Sequence, residues 1–332
     1  MASNTSEKLK IIVKTSKHAQ LEDIKNVPAA EDMYPNQGSK RGVVLVVNNI
    51  EFENNEHEKR FGADVDAKNL KELFTQMGFE WIYWENLTRK DMRLKLREFT
   101  NDSNTLLSEV DSCFVIVMSH GGEDRSPEET IFWTHDNYKI KASEIIESFS
   151  NSNCVLLQDK PKIIIFQVCR GVLEDRALKK HNIGNVGDNP QLDKSSTNQN
   201  LGESVKTISN KSDMLICYTT SPGFVSFRDP DKGAWFIQCF CKIFMNYAYN
   251  TEIKKLFDMV TDEVIKKRTK DFALQMPYII NVGFRHSFYL NPISGWNINI
   301  RIFLKKLKNF CSHMFYFFSL VTVTFAIMAN LE

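Results

Sequence analysis

Ile163-Ile-Ile-Phe-Gln-Val-Cys-Arg-Gly171 decides how the rest of the 332-residue chain is read. A short β-branched run ends in a polar pentapeptide, Gln167-Val168-Cys169-Arg170-Gly171. Runs of this length and composition read as buried strands. Cys169 then falls where the strand leaves the sheet, and open α/β sheets hold their ligands at the carboxyl ends of strands. A lone cysteine is more often a small buried hydrophobe. A second strand argues otherwise here. Cys113-Phe-Val-Ile-Val-Met118 ends in Ser119-His120-Gly121-Gly122, which puts a histidine 49 residues before the cysteine in a matching position.

Outward from these two strands, the pattern alternates. Val43-Val44-Leu45-Val46-Val47 is a strand, and Gly62 to Gly78 has helical spacing, with Val65, Leu70, Leu73, Phe74 and Met77 largely on one face. Trp81 to Trp84 reads as a short strand. A helix capped by Thr88 is expected to run to about Leu107. Ile131-Phe-Trp133 and Tyr138-Lys-Ile140 suggest a small hairpin, and Ala142 to Phe149 a short helix. Beyond Cys169, residues 172–212 are too polar to order themselves. Order resumes with a strand at Met214–Tyr218, helices over Trp235–Tyr249 and Glu252–Arg268, a strand at Pro277–Val282 and a closing extended segment, His286–Pro292. This order predicts an α/β domain: a six-stranded, mostly parallel central sheet with helices on both faces.

The totals exclude several classes. A net charge of +1 gives no reason to expect nucleic acid as a partner. Cys113, Cys154, Cys169, Cys217, Cys239, Cys241 and Cys311 show no CxxC or Cys/His spacing. Neither a metal site nor a disulfide framework is expected, no cofactor is implied, and a reducing cytoplasmic setting fits best. Residues 1–38 read as a short flexible leader without a secretory h-region. Residues 293–332 form a separate C-terminal extension. No Asp, Glu, Lys or Arg occurs from Asn309 to Leu331, so 310–330 reads either as a membrane anchor on an intracellular surface or as a packed or non-native tail.

The two strand ends suggest nucleophilic catalysis. A thiol needs a base or a positive field to act as a thiolate at neutral pH. An imidazole can take that proton and later deliver it to a leaving amine. Gly121 lets its own N–H approach a carbonyl oxygen closely, and with the Cys169 N–H it makes a two-donor oxyanion hole.

Gln-Val-Cys-Arg-Gly with a histidine 49 residues upstream resembles the caspase signature. Further blocks are similar to that family: Arg60-Phe-Gly-Ala-Asp-Val-Asp-Ala67, Leu87-Thr-Arg89, Pro161-Lys162, Ser226-Phe-Arg228 and Gly233-Ala-Trp-Phe-Ile-Gln238. The resemblance covers roughly residues 38–292. It implies an aspartate-specific cysteine endopeptidase of apoptotic or related signalling, with Cys169 as nucleophile and His120 as general acid/base. Arg60, Gln167 and Arg228 match the family's S1 pocket for the substrate aspartate, a role suited to planar guanidinium forks. Val225, Ser226 and Phe227 match positions that line S1 to S2 and pair with the substrate backbone as an added strand.

The family matures by cleavage after aspartate. The resemblance divides the chain into a large subunit, 39–188, a linker, 189–212, and a small subunit, 213–292. Asp188 is the first processing candidate and Asp193 the second. Implied partners are protein substrates with P1 Asp, a second copy of the large and small subunit pair, an upstream caspase and inhibitor proteins. Val225, where executioner members carry tyrosine, resembles the initiator pattern, whereas the short leader resembles executioners. The alternative is a weakly active or inactive caspase-like regulator that dimerises with active relatives.

Overall fold

A computed structural model describes residues 9–15, 32–36, 40–124, 129–176 and 208–290. Its centre is a six-stranded sheet of β1 (Gly42–Asn48), β2 (Phe79–Glu85), β3 (Cys113–Met118), β4 (Lys162–Gln167), β5 (Met214–Tyr218) and β6 (Tyr278–Val282), in the order β6-β5-β4-β3-β1-β2. The first five run parallel and β6 pairs antiparallel with β5. Nearly continuous apolar strands are what a sheet covered on both faces requires. Alternate residues serve alternate cores. Val44, Val46, Ile116, Ile163 and Ile165 meet α1 (Ala63–Gln76), α5 (Trp235–Tyr247) and α6 (Ile253–Val264). Val43, Leu45, Val115, Ile164 and Phe166 meet α2 (Arg89–Thr100), α3 (Thr105–Glu109) and α4 (Ala142–Ser148). The expected sheet class and two-sided helical cover are both present.

Thr88 caps α2, accepting the Asp91 N–H at 3.1 Å. The helix expected to reach Leu107 is broken instead. Asn101-Asp-Ser-Asn104 forms a turn in which Asn101 Oδ1 accepts the Ser103 N–H, and Asn104 caps α3 by accepting the Leu106 N–H. Short polar side chains compete with the helix for backbone groups, so four in a row end it.

Two other expectations change. Within the leader expected to be flexible, residues 9–15 and 32–36 are docked. Ile11 is buried, Gln76 clips the strap through Val13 N–H and Ile11 O, and Tyr34 donates to Asp213 at 2.7 Å. The polar segment expected over 172–212 begins ordered. Gly171–Leu173 pairs with Gly223–Phe224, and Asp175–Arg176 with Ala273–Leu274. At the sheet edge, Tyr278 of β6 is 44% exposed. Asp188, Asp193 and 310–330 lie outside the described residues. Among the described residues, no helix is long and apolar enough to cross a membrane.

Candidate active site

Register delivers the two strand ends to one edge. Met118 of β3 lies opposite Gln167 of β4, and the Ser119 N–H donates to Gln167 O at 3.3 Å. His120 and Cys169 therefore leave neighbouring strands at equal height. The close approach explains Gly121: an added Cβ would stand 2.6 Å from both Cys169 O and Val168 Cβ. Any other residue would push the two strand exits apart.

The imidazole is held from a loop that the sequence did not single out. His120 Nε2 lies 2.8 Å from Glu58 O, so Nε2–H donates to that carbonyl and Nδ1 is left to exchange protons. Burial, and then the nearby Arg60, Arg228 and His57, push the His120 pKa down to about 4, against the pull of the Glu58 carbonyl. The ring is therefore neutral at physiological pH. Cys169 Sγ accepts the Ser226 N–H at 3.4 Å. No sequence signal could have found Glu58, because a carbonyl acceptor is independent of side-chain identity.

Beside the thiol lies a cationic floor. Arg60 is 1% exposed, and its NH1 is fixed by Asn48 Oδ1 at 3.0 Å and Asn49 O at 2.7 Å. Its Nε and NH2 have no hydrogen-bond partner among the described residues. The same holds for Gln167 Oε1 and Arg228 Nε. Gln167 is oriented through its other end, where Nε2 donates to Ser226 Oγ at 2.7 Å. Buried donors without partners are costly, so this cluster is built to receive an acceptor.

Asp66 supports that floor, and the sequence reading quoted it without giving it a role. Its carboxylate is fully buried, accepts the Ala234 N–H on both oxygens at 2.9 and 3.1 Å, and lies 4.0 Å from Arg228 Nε. Gly233, at φ +90°, is required beside it, because an added Cβ would collide with the carboxylate. Burial raises the Asp66 pKa to about 7, opposed by Arg228, the Ala234 N–H and Arg60. With Asp66 ionised, the two arginines and this carboxylate carry one net positive charge. The spacing Arg60–Asp66 places both at the amino end of α1, which was a usable signal.

Val225, Ser226 and Phe227 line the same edge, yet their N–H groups are already engaged. Val225 N–H donates to Leu173 O at 2.9 Å, Ser226 N–H to the Cys169 thiol, and Phe227 N–H to Gln275 Oε1 at 2.8 Å. The backbone expected to pair with an added strand is thus internally satisfied in this structure. Phe227 packs on Trp235, with ring centroids 4.8 Å apart. Arg170 is also explained. It is buried, donates to Thr130 Oγ1 at 2.8 Å and stacks 4.1 Å from the Tyr218 ring, tying the strand exit at Cys169 to β5. Among the described residues, no group of three or more His, Cys, Asp or Glu could hold a metal.

A half-buried thiol and imidazole at one α/β sheet edge, beside the buried Arg60 and the partly buried Arg228, define the class. The family model for the caspase domain matches residues 41–289. Caspase Dronc of Drosophila melanogaster is 31% identical over 258 residues, covering 76% of this chain and 56% of that protein. Human caspase-9 is 27% identical over 260 residues, 75% of this chain and 61% of the human protein. The chain therefore belongs to the caspase family. It spans little more than half the length of these two relatives. The "Putative inactive caspase B" of Caenorhabditis elegans is 29% identical over 240 residues, covering 72% of this chain and 84% of that one. The fold matches the crystal structure of caspase-1 from Spodoptera frugiperda at a TM-score of 0.67 and 20% identity, covering 81% of this chain and 97% of that one.

Proposed function

We propose that this chain is a cysteine endopeptidase that cleaves after aspartate in apoptotic or related signalling. One observation carries the reading: the partnerless donors of Arg60 and Arg228, two cations near enough to Cys169 to act on its charge. The net positive charge of the floor calls for a carboxylate, and a bidentate guanidinium fork selects a planar one. Two arginines there would repel a basic P1 side chain.

The chemistry follows from the groups present. His120 Nδ1 takes the Cys169 proton, and the thiolate attacks the scissile carbonyl carbon. The Gly121 and Cys169 N–H groups receive the developing oxyanion, worth about 3 kcal/mol of barrier for one donor. His120 then gives its proton to the leaving amine. Water, deprotonated by the same imidazole, releases the acid from the thioester. An Asp or Glu near neutral pH is not needed to hold His120; the Glu58 carbonyl does so.

The Ser226 N–H on the thiol and the Leu173 contact to Val225 describe a resting arrangement that substrate has to displace. Cleavage at Asp188 or Asp193 and pairing of two chains along the exposed edge of β6 complete the reading of activation. A cytoplasmic location, with or without anchoring through 310–330, belongs to the same proposal. Turnover of a fluorogenic tetrapeptide ending in Asp, abolished in Cys169→Ala, tests it. A relative described as a putative inactive caspase favours one second reading, a non-catalytic partner of active caspases. A processed, dimeric sample without turnover would select that reading.

A further inference from the structure

The loop before Arg60 does more than lend the Glu58 carbonyl. His57, one residue earlier, lays its ring against the imidazole of His120, with centroids 5.6 Å apart and planes inclined at 33°. The same ring sits 4.7 Å from Trp133 and 5.3 Å from Phe52, while Phe52 itself lies 5.2 Å from His120. His120 is thus flanked by the rings of Phe52 and His57, with Trp133 backing His57 and the Glu58 carbonyl at one nitrogen.

A leucine or methionine would cover the ring equally well. Histidine adds a side chain that itself gains charge on acidification. We infer that His57 is a positioning residue for the His120 imidazole: it keeps water from that ring and, once protonated, sets a like charge beside it, so that His120 stays neutral. The inference rests on the reading of His120 as the acid/base.

The groups facing the pair are few. On its own loop, Glu56 favours protonation of His57, whereas burial opposes it and holds its pKa below the ordinary value. From the cationic floor, Arg60 and Arg228 disfavour protonation of His120, as does His57. From the hairpin after β3, Trp133 is the wall, with Lys139 5.9 Å from its ring. His135 belongs to a separate contact, with Glu51 O and, at 4.0 Å, the Glu53 carboxylate. Cys169 completes the surroundings on the β4 side. Among the described residues no carboxylate touches His120, so its charge is governed by cover and by like charges, and His57 supplies both.

The two contributions separate by substitution. His57→Leu keeps the cover and removes the charge; His57→Ala removes both. Imidazole NMR of histidine-labelled full chain, titrated across the acidic and neutral range, reads His120 directly. The expected order of the His120 pKa is wild type lowest, His57→Leu higher and His57→Ala highest, approaching the ordinary value of about 6.5. The acid limb of kcat/KM is expected to move to higher pH in the same order, because that limb reports the free enzyme's groups. Unchanged backbone amide spectra confirm that each variant folds. Identical His120 titrations in all three proteins overturn the inference. The NMR arm needs no turnover: a chain that cleaves nothing but shows the predicted order refutes the peptidase reading and supports this one.

Discussion

The two halves of the site are built in opposite ways. The cationic floor is made of side chains: Arg60 and Gln167 are almost wholly buried, Arg228 is mostly so, and each has an atom left without a partner. The surroundings of His120 and Cys169, the proposed catalytic pair, are made largely by backbone: the Glu58 carbonyl, the Ser226 N–H and the close approach of Gly121 to Cys169 O. On the proposed function, a floor of side chains would decide which substrate enters. A backbone frame fixes geometry while leaving the reactive groups free to exchange protons. The first half can be altered residue by residue, whereas the second responds mainly to changes that move the chain.

Removing a floor arginine is the most damaging way to break this comparison. Arg60→Leu is expected to lower kcat/KM for Asp-ending peptides by about 10³-fold, through a buried charge pair left unmade on substrate binding. Steady-state kinetics checks this, and loss of less than about tenfold would mean that the arginine is structural. Gly121→Ala attacks the backbone half. It is expected to cost about 10²-fold in kcat with little change in KM, because the strand exits must separate and an oxyanion donor shifts. Equal losses in KM would place Gly121 with the floor instead.

Asp66→Ala tests the support beneath the floor. Leaving Arg228 and the Ala234 N–H unpaired in a buried site is expected to destabilise the fold by about 3 kcal/mol, read by denaturant unfolding. The smallest effect concerns pH. Because burial depresses the His120 pKa to about 4, the unfolded chain binds more protons than the folded one below an ordinary pKa of about 6.5. The stability associated with the neutral ring is present above about 6.5 and is lost as pH falls toward 4. The melting temperature of wild type should fall more over that window than that of His120→Gln; parallel curves would contradict the burial.

What the sequence made legible divides along the same line. Ile163–Gln167 and Cys113–Met118 are β-branched, unbroken and followed by polar residues, so strand, direction and exit could all be read from identity alone. The floor was legible only through the family resemblance: Arg60, Gln167 and Arg228 match its pocket positions, and nothing in their spacing groups them. Glu58 and His57 were not, since one acts through its carbonyl and the other through packing that only the folded loop creates. The break at Asn101–Asn104 was readable from composition but was outweighed by apolar spacing continuing to Leu107. The docking of residues 9–15 was hidden because Leu9, Ile11 and Val13 are too few to show a period, and their burial depends on a groove formed by distant helices.

The account stands or falls on what the floor admits. The direct measurement is the ratio of kcat/KM for two fluorogenic tetrapeptides identical except for Asp or Asn at P1. Asn is nearly isosteric and lacks only the charge. A net positive floor with partnerless guanidinium donors predicts a preference for Asp of about 10³-fold or more, falling sharply in Arg228→Gln. Equal turnover of the two peptides, or a preference that survives in Arg228→Gln, would contradict it.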